Sequence, residues 1–184
     1  MALLKLRKTE PGEPLIAAMT AVRMGDRLLI IGCGATKVIA QIAARPGITG
    51  RACAVDDDAG RTARAAAAAQ REGALLDVET ASFSALPFER DAFDVVVINH
   101  LLPRLERSQR APCVAEAVRV VRGGGRCVVV QAGRSGGLAG IFGGSPKMAG
   151  ADVEGELSSA GFRAVRTIAE REGVLFVEGA KRAP

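Results

Sequence analysis

Four short stretches of the chain combine residue types that can hold a small ligand, and each follows an apolar run. The first is Gly32-Cys33-Gly34, directly after Leu28-Leu29-Ile30-Ile31. Glycines let the backbone turn tightly and let a ligand approach it closely. A helix starting just beyond, with Thr36 as N-cap and Lys37 in its first turn, directs free N–H groups and a positive dipole end at that ligand, which suits a carboxylate. The second is Asp56, followed by Asp57 and Asp58. A carboxylate ending the next strand, roughly twenty residues past the glycines, accepts hydrogen bonds from both hydroxyls of a ribose. Asp58 has a second reading, as N-cap of the following helix. The third is Ser82-Phe83, where a purine beside Asp56 would end; Phe83 reads equally as a core aromatic. The fourth is Asn99-His100, and His100 is the only histidine in the chain. It stands where the reacting end of a ligand would lie, as a candidate general base or as a structural imidazole.

These stretches need a scaffold that sets them side by side. Apolar runs at 27–31, 51–55, 75–83, 93–98, 127–130, 162–168 and 174–177 read as strands, and several lack polar alternation, as strands covered on both faces do. Helical periodicity falls at 13–23, 36–44, 60–72, 109–121 and 153–160. This alternation predicts an α/β fold with an open, doubly wound, mostly parallel sheet of seven strands. The last two strands, joined by Arg171-Glu172-Gly173, should pair antiparallel. Ligands bind such sheets at the carboxyl ends of the strands, near the topological switch point, and all four stretches lie there.

Composition narrows the function classes. The chain has 184 residues, enough for one domain with a full core; no linker or composition shift marks a second, so 1–184 is read as a single unit. Residues 1–25 form its N-terminal helical segment, and the Gly-rich stretch 132–150 reads as a lid after the fifth strand. There is no Trp or Tyr and only six Phe, which argues against the aromatic stacking platforms of single-stranded nucleic-acid binders. The net charge of +5 is spread along the chain with no block of like charge; no nucleic-acid partner is indicated. Cys33, Cys53, Cys113 and Cys127 form no C-x-x-C pair, so no metal site is expected. Reduced thiols in a reducing cytoplasm are the natural reading. The N-terminal residues hold no apolar run long enough for a signal peptide, and no run is long enough for a transmembrane helix.

Taken in order, Leu28-Leu29-Ile30-Ile31-Gly32-Cys33-Gly34, Ala54-Val55-Asp56, Ala85-Leu86-Pro87-Phe88 followed by Phe93-Asp94-Val95-Val96-Val97, the turn Val118 to Arg126, and Ala160-Gly161-Phe162 resemble the class I S-adenosylmethionine-dependent methyltransferases. The ubiquinone/menaquinone methyltransferase-like, small-molecule group is the most similar. The resemblance runs from about Leu28 to Val130 and implies a Rossmann-like domain with S-adenosyl-L-methionine as cofactor. The cofactor would lie along Gly32, Cys33, Gly34, Thr36, Asp56, Asp57, Ser82, Phe83 and Asn99, with His100 as the catalytic candidate and a small molecule as methyl acceptor. The sequence departs from the family at Ile30, where an acid usually helps hold the ammonium group. It departs again at Thr36, the usual third glycine, at Ser82, usually acidic, and at Pro103-Arg104, often paired histidines. These departures leave a second function open: a non-catalytic binding or partner subunit of the same fold. A nicotinamide-dependent oxidoreductase is disfavoured, because Lys37 stands where G-x-G-x-x-G needs its third glycine.

Overall fold

The computed structural model describes residues 13–133 and 151–183. In chain order the elements are α1 (Glu13–Met19), β1 (Arg27–Ile31), α2 (Thr36–Ala43), β2 (Arg51–Asp56), α3 (Ala59–Arg71), β3 (Asp77–Thr80), β4 (Phe93–Asn99), α4 (Arg107–Val120), β5 (Val121–Ala132), α5 (Ala151–Ala160), β6 (Arg163–Arg171) and β7 (Val174–Ala180). They build one seven-stranded sheet in the order β3-β2-β1-β4-β5-β7-β6. The first five strands pair in parallel, and β7 runs antiparallel between β5 and β6. This is the doubly wound, mostly parallel sheet expected from the sequence.

Alternation along each central strand sends successive side chains to opposite faces. Leu28, Ile30, Ala52, Ala54, Val95, Val97, Val128 and Val130 pack with α1, α2 and α3 on one face. Leu29, Ile31, Cys53, Val55, Val96, Ile98, Cys127 and Val129 pack with α4 and α5 on the other. Both faces are dry, which is why these strands are apolar without interruption. Burying each such Ile or Leu contributes about 1.5–3 kcal/mol.

The chain turns back after β3 and re-enters the sheet on the far side of β1 as β4, with register Ile31↔Ile98. The carboxyl ends of β1 and β4 therefore lead into loops that leave in opposite directions, the place where sheets of this kind bind ligands. Gly32 and Asn99 stand in contact at these two strand ends.

Several boundaries differ from the sequence reading. Helix α1 ends at Met19, and Ala21 takes a left-handed φ of 49°. Strand β3 covers only Asp77–Thr80 at the exposed sheet edge, so Ser82 and Phe83 lie in the loop beyond it. Strand β5 begins at Val121, six residues earlier than the apolar run suggests, and carries the three glycines with it. Of the Gly-rich stretch, residues 134–150 lie outside the described residues, as do residues 1–12 of the N-terminal segment. Among the described residues no helix is long and apolar enough to cross a membrane.

Candidate functional site

Gly32 takes φ +99°, a conformation that L side chains rarely adopt, and donates its N–H to Val55 O at 2.9 Å. A Cβ at this position would stand 2.7 Å from the Asn99 carbonyl oxygen. Glycine is needed here for its conformation and for the close approach of the β4 end. The next residue, Cys33, is buried, and its backbone N–H donates to Asp56 Oδ2 at 2.7 Å. Helix α2 follows. Its N-cap is Ala35, with no side-chain cap bond, so Thr36 is the first helical residue and not the cap expected from the sequence. The N–H groups of the first turn thus have no hydroxyl covering them. Lys37 is exposed on that turn.

Asp56 ends β2 and is fully buried. Besides the Cys33 N–H, it accepts the Asp58 N–H at 3.1 Å and Arg61 Nε at 2.7 Å, both on Oδ1. Burial alone would raise its pKa. The Cys33 N–H and the Arg61 guanidinium outweigh that and hold the carboxyl below its ordinary range. Asp57 is exposed and takes Arg61 Nη2 at 2.6 Å. Asp58 caps α3 by accepting the Arg61 N–H at 2.7 Å, which settles its second reading in favour of the cap.

Past β3, the Ala81 N–H donates to Asp56 O at 3.0 Å, which brings Ser82 and Phe83 alongside the β2 end. Ser82 is exposed, with Oγ 2.9 Å from Ser84 Oγ. Phe83 is a core aromatic, as one of its two readings has it, 6% exposed within the α4-side core. It also borders a cavity of about 470 Å³. Asp57, Ser82, Ser84, Ser108 and Gln109 supply the polar wall of that cavity, and Leu105 and Pro112 part of the apolar one. A planar base with polar edges fits such a lining.

Asn99 is 1% exposed, and its Nδ2 donates to Gly32 O at 3.4 Å. Its Oδ1 is buried and has no hydrogen-bond partner among the described residues. A buried acceptor left without a partner needs a donor, which a water or a ligand can supply. His100 follows with φ +49°, a strained conformation for a non-glycine residue, and its N–H is held by Val130 O at 2.7 Å. The residue is half-buried, and burial pushes the imidazole pKa below its ordinary value, so the ring is neutral near pH 7. Ile30, at the usual ammonium-binding position, is wholly buried among apolar neighbours.

Arg61 escaped the sequence reading, and Arg104 entered it only as a departure from the family pattern. Arg61 lies one helical turn beyond the aspartates, at i+4 from Asp57 and i+3 from Asp58, and that spacing was the available signal. Arg104 places Nη1 3.6 Å from where a Gly34 Cβ would stand. All four cysteines are free and buried, and burial raises the pKa of Cys33 to about 12 and that of Cys53 to about 11. No group of His, Cys, Asp and Glu among the described residues could hold a metal ion.

The sequence model of the family described as "Methyltransferase domain" matches residues 29–129, more than half of the chain. The chain belongs to this family. Among solved structures, the methyltransferase domain is similar to a SAM-dependent methyltransferase from Aquifex aeolicus, with TM-score 0.75 and 16% identity over 91% of this chain and 88% of that one. It is similar to the [4+2]-cyclase SpnF, with TM-score 0.72 and 18% identity over 94% and 80%. It also resembles the S-adenosylmethionine-dependent methyltransferase SibL in its apo form, with TM-score 0.73 and 22% identity over 92% and 54%. No curated protein matches the chain in sequence. S-adenosyl-L-methionine is the cofactor of this methyltransferase domain. The residues present fit it at three points: the Gly32 turn, the open Asn99 Oδ1 and the cavity beside Phe83.

Proposed function

We propose that this domain catalyses methyl transfer to a small-molecule acceptor presented at the carboxyl end of β4. The observation that carries the reading is the buried, unpartnered Asn99 Oδ1 beside the Gly32 turn, at the switch point of the sheet. With Ile30 apolar, Asn99 Oδ1 is the acceptor best placed to take the ammonium group. The N–H groups opening α2 face the carboxylate end, Asp56 takes the ribose, and the cavity at Ser82 and Phe83 takes the base. S-adenosyl-L-methionine, when bound, supplies an electrophilic methyl group on sulfur. Displacement at such a centre needs alignment and exclusion of water above all. For a hydroxyl acceptor that must lose a proton, His100 is the base: neutral at pH 7 and next to Asn99. The finer assignment to the ubiquinone/menaquinone methyltransferase-like group is supported by the Ala85–Phe88 and Phe93–Val97 segments.

Calorimetry with S-adenosylhomocysteine tests the reading. The parent binds, and Asn99→Ala binds on the order of tenfold more weakly, through loss of a hydrogen bond to a charged group. Failure of the parent to bind at millimolar ligand refutes it. A methyl-transfer screen on small hydroxyl compounds then separates catalysis from binding alone. The second reading, a non-catalytic binding or partner subunit of the same fold, is supported by the Asp56–Arg61 pairing, which occupies the carboxylate a ribose would need.

A further inference from the structure

The carboxylate of Asp56 is already engaged on both oxygens. Oδ2 accepts the Cys33 N–H at 2.7 Å; Oδ1 accepts the Asp58 N–H at 3.1 Å and Arg61 Nε at 2.7 Å. An ionised carboxylate has about four lone-pair sites, so a single site, on Oδ2, is left for a ligand. Two ribose hydroxyls need two. The Cys33 and Asp58 donors are backbone groups, fixed by the glycine turn and by the start of α3. Arg61 alone sits on a flexible side chain, and that side chain is 24% exposed while Asp56 is fully buried. Only Arg61 can leave toward water.

We propose that Arg61 is a displaceable latch on the ribose subsite, a positioning residue that competes with the diol for Asp56 and so sets the affinity for ribonucleosides; this rests on reading Asp56 as the ribose acceptor. The guanidinium has somewhere to go. It already reaches Asp57 Oδ1 at 2.6 Å and lies 3.7 Å from Asp58 Oδ2, and both of those carboxylates are about half exposed. Rotation off Asp56 leaves Arg61 paired to its two outer neighbours and frees Oδ1 for a hydroxyl. The latch therefore exchanges one charge-assisted bond for one from the ligand. A vicinal diol repays that exchange with two hydrogen bonds on the two carboxylate oxygens. A sugar lacking its hydroxyls repays nothing and leaves the latch shut. The latch thus lowers the affinity for a ligand carrying the diol and leaves that for a ligand without it unchanged.

The test uses neutral probes that lack the amino-acid tail, so that Asn99, α2 and Arg104 contribute nothing. Adenosine and 2′,3′-dideoxyadenosine are titrated calorimetrically into the parent chain and into Arg61→Gln. Adenosine should bind the variant on the order of tenfold tighter than the parent, the worth of one hydrogen bond to a charged group. Dideoxyadenosine should bind both alike. Unchanged or weaker adenosine binding by a variant with the parent's melting temperature overturns the latch. An equal gain for dideoxyadenosine also overturns it, because Arg61 would then obstruct the base and not the diol. If neither protein binds adenosine, the ribose reading of Asp56 fails and the latch with it. Should Arg61→Gln not fold, the parent alone decides by the NMR signal of Arg61 Nε–H: saturating adenosine should shift it, and a signal left in place overturns the proposal.

Discussion

Asp56→Asn is the substitution whose consequences can be followed furthest. The amide is the same size as the carboxylate but has one acceptor oxygen instead of two. With that oxygen toward Cys33, its NH₂ group would face both the Asp58 N–H and Arg61 Nε, two donor–donor contacts. With the oxygen toward Arg61, its NH₂ group faces only the Cys33 N–H, across 2.7 Å. The second orientation wins, so the damage falls on the glycine turn. An unsatisfied buried N–H costs about 1–3 kcal/mol, and exchanging a charged for a neutral acceptor at Arg61 adds roughly 1 kcal/mol. The expected total is about 3 kcal/mol, read as a lower urea midpoint at pH 7. The pH dependence has a definite sign. The folded Asp56 carboxyl titrates below its ordinary value. The stability it contributes is therefore complete above the unfolded pKa of about 4 and falls away in more acid solution. Parent and variant should converge as the pH drops below about 4. Hydrogen exchange gives the local reading: the Cys33 amide should exchange faster in the variant, while Val96 and Val97 in β4 keep their relative protection. A variant within about 0.5 kcal/mol of the parent, with Cys33 protection intact, would refute the orientation argument.

Further outcomes are expected elsewhere. Gly32→Ala puts a methyl group 2.7 Å from Asn99 O at a φ of +99°; it should lose more than about 2 kcal/mol and most affinity for S-adenosylhomocysteine, by thermal melting and calorimetry. Asp94 resists burial through Arg122, the Arg27 N–H and Arg27 Nε, which together bring its pKa down to about 2. Asp94→Asn should therefore cost about 2 kcal/mol at neutral pH, fading between about pH 4 and pH 2 in urea unfolding. The imidazole of His100, disfavoured as a cation by burial, should titrate below 6.5 by NMR. Because the unfolded chain takes up that proton first, His100 should lower stability as the pH falls through about 6.5.

The strands that position the site were legible because they are dry on both faces. Leu28 to Ile31 and Val95 to Ile98 could be nothing but buried apolar runs. Strand β3 was overextended because its sheet-edge position leaves Asp77, Glu79 and Thr80 exposed and removes the pattern that would mark its end. The start of β5 was missed because Gly123, Gly124 and Gly125 signal a turn, whereas the pairing of Phe93 with Val121 draws them into the sheet. At the site, residue types at strand ends located Gly32, Asp56, Phe83 and Asn99. What they could not show is competition: Arg61 reaches Asp56 across five residues, a contact that exists only once α3 is fixed against the end of β2. Thr36 looked like a cap by type, and the helix begins at it because Ala35 adopts the capping position with no hydroxyl at all.

The place of β7 sets an order on how the molecule can assemble. Strands β1 to β5 are contiguous in the sheet, and β5 keeps an open hydrogen-bonding edge until Val174–Ala180 arrives to pair along Arg126 to Ala132. Phe176 and Val177, fully buried on opposite faces, come with it. The apolar interior is therefore sealed from both sides by one late segment, across a long stretch of intervening chain, which raises the contact order and slows folding. Until then the exposed edge of β5, with Cys127, Val128, Val129 and Val130 in sequence, is a sticky template for another copy. Chaperone dependence and loss by aggregation should thus respond most to changes in the β6–β7 hairpin.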